Sequence, residues 1–95
     1  MREPRGIRAD ESTDRPTVEN LRDCLVRVLP LLPENPKAEL FKSGVIDSLS
    51  LIEVVVALEE TFSITFKPQD MSVQNFSTLE QILGTVNRIR SRNKV

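Results

Sequence analysis

The sequence predicts an all-α protein: a small antiparallel four-helix bundle with three main helices and one short helix. Apolar residues recur at three- and four-residue steps in three separate segments, which is the periodicity of a helix with one buried face. Prolines separate these segments and interrupt helical structure. The 95 residues, of which 39% are apolar and 28% charged, suffice for one small globular domain.

Residues 16–92 are predicted to form this domain, between a leader (residues 1–15) and a short tail (residues 93–95). The leader mixes four basic with four acidic residues, so we expect it to be disordered. It lacks the apolar stretch of a secretory signal. No apolar run approaches the roughly 18 residues that cross a membrane. We therefore expect a cytoplasmic monomer without membrane insertion.

The single cysteine, Cys24, lies on an apolar helical pattern and is predicted to be a buried structural thiol.

The first helix is predicted over residues 17–29, after Pro16, and Pro30 ends it. Its apolar stripe consists of Val18, Leu21, Leu25, Val28 and Leu32. A long connection follows, up to Asp47, and we expect Leu40 and Phe41 to anchor it on the core. Connections of this length are uncommon unless they serve a function.

The second helix is predicted over residues 49–62, with Gly44 in the preceding turn and Ser48 as the N-cap. Its core stripe consists of Leu51, Val54, Val55, Leu58 and Phe62. A second apolar stripe (Leu49, Ile52 and Val56) is bordered by glutamates, as a surface for partner proteins would be. The alternative is that all these apolar positions are buried in a central helix.

The remaining elements complete the bundle. We expect a short extended link at residues 63–66, one helical turn from Pro68 to residue 71 or 72, and a core position for Phe76. The last helix is predicted to begin near Ser77 or Thr78, where Ser77 and Glu80 have capping-box spacing. Its apolar stripe consists of Leu79, Ile82, Leu83, Val86 and Ile89.

Composition excludes several functions. The chain has no histidine, which rules out Ser–His–Asp and Cys–His catalysis and histidine metal sites. No calcium-loop spacing occurs, and a net charge of −1 does not indicate nucleic-acid binding. We therefore expect no catalytic residues, no metal site and no nucleic-acid partner.

The charged residues are distributed unevenly along the chain: residues 39–70 are acidic and the chain after Gly84 is basic.

At Asp47-Ser48-Leu49, followed by Leu58-Glu59-Glu60-Thr61-Phe62, the sequence resembles the acyl carrier protein family. The resemblance implies a 4′-phosphopantetheine arm, donated by coenzyme A and esterified to Ser48, that holds an acyl or aminoacyl group as a thioester. Asp47 would help to position the serine and a metal ion during loading. The implied partners are a phosphopantetheinyl transferase, an acyl- or aminoacyl-activating ligase and a downstream transferase or synthase. The implied partner-binding residues are Leu49, Ile52, Glu53 and Val56.

The chain departs from housekeeping fatty-acid carriers, which place an acid two residues after the serine, where this chain has Ser50. It looks closer to stand-alone carriers, including D-alanyl, aminoacyl and peptidyl carriers. This favours a specialised role in lipid or secondary-metabolite biosynthesis, with a cargo that the sequence does not identify. One alternative is a carrier-fold interaction module without the arm, which binds a partner through the second-helix face. Another is a hydrolase using Ser48, for which no base is visible.

Overall fold

The computed structural model describes residues 16–93. These residues form three α-helices: α1 (Val18–Leu25), α2 (Ser48–Phe62) and α3 (Leu79–Asn93). Two 3₁₀ turns, Pro68–Asp70 and Val73–Phe76, join α2 to α3. Residues 16–93 contain no strand, so the all-α prediction is confirmed, with two successive 3₁₀ turns where one short helix was expected. The predicted leader and the last two residues of the predicted tail lie outside the described residues.

Helix α1 is shorter than predicted. Thr17 caps it: the backbone N–H of Asn20 donates to Thr17 Oγ1 (3.2 Å), and the Thr17 N–H donates to Asn20 Oδ1 (3.1 Å). The helix ends at Leu25 rather than Leu29, and the N–H of Leu29 still donates to the Leu25 carbonyl (2.7 Å). Pro30 explains the early end, because its ring has no N–H and would clash with the carbonyl four residues earlier.

The core lies where α1 packs against both α2 and α3. The predicted stripes of α2 and α3 face it, with Val54 and Leu58 from α2 and Ile82 and Val86 from α3 fully buried. Phe76 is fully buried as predicted, and its ring stacks on Phe66 with centroids 5.6 Å apart. Cys24 is buried as predicted. Within residues 16–93, no helix has the length and apolar character needed to cross a bilayer.

The long connection between α1 and α2 is fastened to the rest of the fold at two points. The Arg22 guanidinium donates to the carbonyls of Pro33 (2.7 Å) and Glu34 (2.6 Å). Farther along, the Leu40 N–H donates to the Ser77 carbonyl (2.8 Å). Leu40 is fully buried and Phe41 is half-buried against the core, which confirms both predicted anchors. The connection therefore delivers the start of α2 to a defined place.

The start of α3 differs from the predicted capping box. The Gln81 N–H donates to Thr78 Oγ1 (3.0 Å), so Thr78 is the cap. The Ser77 hydroxyl instead donates to the Gln74 carbonyl (3.0 Å) in the preceding 3₁₀ turn. The prediction was wrong here because a serine can bond to the turn before it as well as to the helix after it.

Candidate functional site

The chain enters α2 through a tight turn. Gly44 has a φ of +85°, a left-handed conformation that glycine adopts without a steric penalty, and its N–H donates to the Phe41 carbonyl (3.1 Å). Two residues later, Ile46 is buried and its N–H donates to the Leu40 carbonyl (3.0 Å). This anchor lies immediately before Asp47, so the first turn of α2 is held against the core.

The N-cap of α2 is Asp47, not Ser48 as the sequence predicted. Asp47 has an extended backbone (φ −126°, ψ −173°), and its carbonyl accepts the first helical hydrogen bond, from the Leu51 N–H (2.9 Å). Both residue types are good caps, but a carboxylate is also favoured by the positive end of the helix dipole. Ser48 is consequently the first residue inside the helix.

The Asp47 carboxylate is held by Ser50. The backbone N–H and the hydroxyl of Ser50 both donate to Asp47 Oδ1, each at 2.9 Å, and the Asp47 N–H donates back to Ser50 Oγ (2.9 Å). This is a reciprocal capping box. The hydrogen bond from the Ser50 N–H, followed by that from its hydroxyl, lowers the pKa of Asp47 below 3.8. The carboxylate beside Ser48 is therefore charged at neutral pH.

The Ser48 side chain is exposed to solvent. Being the first residue of α2, it lies where backbone N–H groups lack intrahelical partners and the helix dipole is positive. A phosphate ester on this oxygen would stay outside the bundle, near donors that suit an anion. The residues present therefore fit a covalently attached phosphate group.

The described part of the chain contains no cluster of three or more side chains that could ligate a metal ion.

The second apolar stripe of α2 is on the surface. Leu49, Ile52 and Val56 are 72%, 60% and 46% exposed, so the alternative of a wholly buried central helix is wrong. Glu53 lies exposed within this face. The Glu59 carboxylate, by contrast, accepts a hydrogen bond from the Phe66 N–H (2.9 Å) and supports the fold. A partner-binding role for the exposed stripe stays a prediction.

Sequence reasoning missed one residue of the site, Ser50. It was noted only as a departure from housekeeping carriers, whereas the structure makes it the partner of Asp47. The sequence does contain a signal for this role, since Asp47 and Ser50 have the three-residue spacing of a capping box. The pattern is hard to recognise because the third helical position of a capping box is usually glutamate or glutamine, not serine.

Comparison with known proteins identifies a family for this chain. Residues 19–86 match the family model described as "Phosphopantetheine attachment site". The D-alanyl carrier protein of Bacillus licheniformis is 30% identical over 60 residues, which are 63% of this chain and 77% of the relative. That of Bacillus velezensis is 30% identical over 57 residues (60% and 73%). That of Lactococcus lactis subsp. lactis is 30% identical over 60 residues (63% and 76%).

Proposed function

Because the chain belongs to the phosphopantetheine-binding carrier family, we propose that Ser48 bears its covalently attached 4′-phosphopantetheine. Members of the family are carriers rather than enzymes, and they work with phosphopantetheinyl transferases and ligases. The observation that supports Ser48 is the exposure of its side chain on the first residue of α2, directly after the Asp47 cap. The alternative of a carrier fold without the arm loses its basis, since the family is defined by the attached group.

Attachment requires Ser48 to act as a nucleophile. Its Oγ forms a bond to a phosphorus of the coenzyme A pyrophosphate and loses its proton. The bond from that phosphorus to the bridging oxygen breaks, and adenosine 3′,5′-bisphosphate leaves. The chain has no histidine, so we assign the base to the transferase. The first turn of α2 contributes its positive dipole end to the phosphate that Ser48 acquires.

We propose a D-alanyl cargo. When bound, the arm supplies a thiol that holds an activated group as a thioester. Three relatives at 30% identity are named D-alanyl carrier proteins, which favours this cargo over the general lipid or secondary-metabolite role expected from the sequence. The partners of the proposal are a cytoplasmic D-alanine-activating ligase and a downstream D-alanyl transferase.

These partners are proposed to dock on the exposed face of α2. Leu49, Ile52 and Val56 supply apolar area beside Ser48, and Glu53 adds a negative charge within the same face. An exposed apolar patch with a charged border is typical of protein interaction surfaces. The acidic character of residues 39–70 would attract partners with basic surfaces.

Intact-mass measurement tests the attachment site. The apo protein is incubated with coenzyme A and a phosphopantetheinyl transferase of broad specificity, alongside Ser48→Ala and the matched control Ser91→Ala, which changes an exposed serine on α3. We expect one added arm in the wild type and in Ser91→Ala, and none in Ser48→Ala. An arm on Ser48→Ala, or none on the wild type with several transferases, would contradict the proposal.

A second experiment tests the cargo. The loaded protein is incubated with ATP, a D-alanine-activating ligase and either D-alanine or L-alanine, and the mass is measured before and after hydroxylamine treatment. We expect a D-alanyl adduct that hydroxylamine removes, as it removes thioesters. Isolation of the native protein with a fatty acyl adduct, and no acceptance of D-alanine, would overturn the cargo proposal while leaving the attachment site intact.

A further inference from the structure

We propose that Ser50 is a positioning residue for the loading of Ser48 and that it acts through the Asp47 carboxylate. The inference rests on the proposed attachment at Ser48. It goes beyond that proposal because Ser50 itself does not react and bears no group.

The geometry assigns Ser50 two separate bonds to one carboxylate oxygen. Its backbone N–H and its hydroxyl both lie 2.9 Å from Asp47 Oδ1. The same hydroxyl oxygen accepts the Asp47 N–H at 2.9 Å, so it holds the backbone and the side chain of Asp47 together. Both bonds that Ser50 donates to the carboxylate end on Oδ1, and neither ends on the second oxygen, Oδ2. The carboxylate is thus held by Ser50 at one oxygen, and because Asp47 is exposed the other is open to a partner.

This arrangement matters because Asp47 is exposed and directly precedes the nucleophile. An exposed aspartate without such bonds samples several rotamers. Ordering such a side chain during the reaction would cost conformational entropy. Because Ser50 already holds Asp47 in one orientation before the transferase binds, the reaction does not have to supply this cost. The open oxygen can then meet a positively charged group of the transferase complex in a fixed place relative to Ser48.

The contribution of the hydroxyl can be isolated by mutation. Ser50→Ala removes all the bonds made by Oγ, but it keeps the backbone N–H that donates to Asp47 Oδ1. The helix cap therefore survives in part, and alanine is a good helix former. Ser50→Thr retains a hydroxyl at the same position and serves as the conservative rescue.

The test is a double-mutant cycle on the loading kinetics, measured with coenzyme A and a phosphopantetheinyl transferase. The proteins are the wild type, Ser50→Ala, Ser50→Thr, Asp47→Ala and the double variant Asp47→Ala/Ser50→Ala. We expect Ser50→Ala to lower kcat by about 3- to 10-fold, the range expected for one net hydrogen bond. The KM for the carrier should stay unchanged, because the apolar face of α2 is intact. Ser50→Thr should load within about twofold of the wild-type rate.

The decisive comparison is the effect of Ser50→Ala when Asp47 is already alanine. Ser50→Ala removes the bond from the backbone N–H of residue 47 in both backgrounds. We therefore expect a smaller loss of loading rate in the Asp47→Ala background, and the difference is the part that Ser50 exerts through the carboxylate. An equal loss in both backgrounds, or a loss that follows the melting temperature across the variants, would overturn the inference. If the wild type loads and Ser50→Ala loads at the same rate, this inference alone fails. If the wild type is not modified at all, the proposed attachment fails and this inference fails with it.

Discussion

The Arg92 guanidinium donates two parallel hydrogen bonds to the Asp70 carboxylate, with Nη1 3.1 Å from Oδ1 and Nη2 2.8 Å from Oδ2. The Asp70 side chain is only 4% exposed and that of Arg92 is 29% exposed. Asp70 Oδ2 also accepts the Lys67 N–H (2.8 Å), and its carbonyl accepts the Asn75 side-chain amide (2.9 Å). The pair thus fastens the connection between α2 and α3 to the last turn of α3.

Replacement of Asp70 should therefore destabilise the fold. Asp70→Asn removes the negative charge opposite Arg92. It also replaces one acceptor oxygen by an amide N–H₂, which cannot accept the hydrogen bonds that Arg92 and the Lys67 N–H donate. We expect a loss of about 2 kcal/mol in the free energy of unfolding, because a charged hydrogen bond is lost at a buried position. Urea denaturation measures it. Asp23→Asn, on the exposed face of α1, is the control and should change stability by less than about 0.5 kcal/mol. Equal effects of the two substitutions would contradict the role assigned to the pair.

Stability should also fall in acid. Hydrogen bonding from Arg92, the largest cause, lowers the pKa of Asp70 below 3.8. The folded state then binds fewer protons than the unfolded state, so this contribution is present above the unfolded pKa and is lost as pH falls through the folded pKa. At pH values below about 4, we expect the melting temperature to fall as the pH is lowered. This fall should be less steep in Asp70→Asn. The pKa of Asp47 is also lowered, so the melting temperature of Asp70→Asn should still depend on pH to some extent. If Asp70→Asn showed the same pH dependence as the wild type, Asp70 would not be the source of the acid sensitivity.

Two valines on α2 offer a matched comparison of burial. Val54 is fully buried, whereas Val56 is 46% exposed. Val54→Ala should cost about 2 kcal/mol, because it removes buried methyl groups and leaves a cavity. Val56→Ala should change stability by less than about 0.5 kcal/mol, since alanine has the higher helix propensity. Chemical denaturation of both variants measures the difference, and similar losses would mean that the exposed stripe is packed in solution.

The exposed stripe of α2 should affect partner binding rather than folding. Ile52→Gln removes apolar contact area beside Ser48 while keeping a helix-forming residue. We expect the KM for the carrier in the loading reaction to rise by at least about fivefold, with kcat and the melting temperature unchanged. Leu31→Gln, which changes a residue that is 79% exposed outside this stripe, should leave KM as it is. The docking prediction fails if the two variants behave alike.

Local sequence patterns predicted the parts of the fold that depend on neighbouring residues. The apolar stripes of α2 and α3 were predicted correctly because helical periodicity lies within one segment. Errors arose where local alternatives have similar energies. Asp47 and Ser48 are both good caps, as are Ser77 and Thr78, and only contacts with the adjacent residues select between them. The end of α1 was placed four residues too late because Pro30 acts on the turn before it.

By itself, the sequence determined the helical class, the position of Ser48 at the start of α2 and the neighbouring acid, since these follow from periodicity and capping. It did not determine whether the second stripe of α2 is exposed or buried as well, because that depends on where α1 and α3 pack. Nor did it reveal the Asp70–Arg92 pair, whose members are 22 residues apart in sequence. Only the tertiary structure decided these points, because they depend on contacts between segments that periodicity within one segment does not describe.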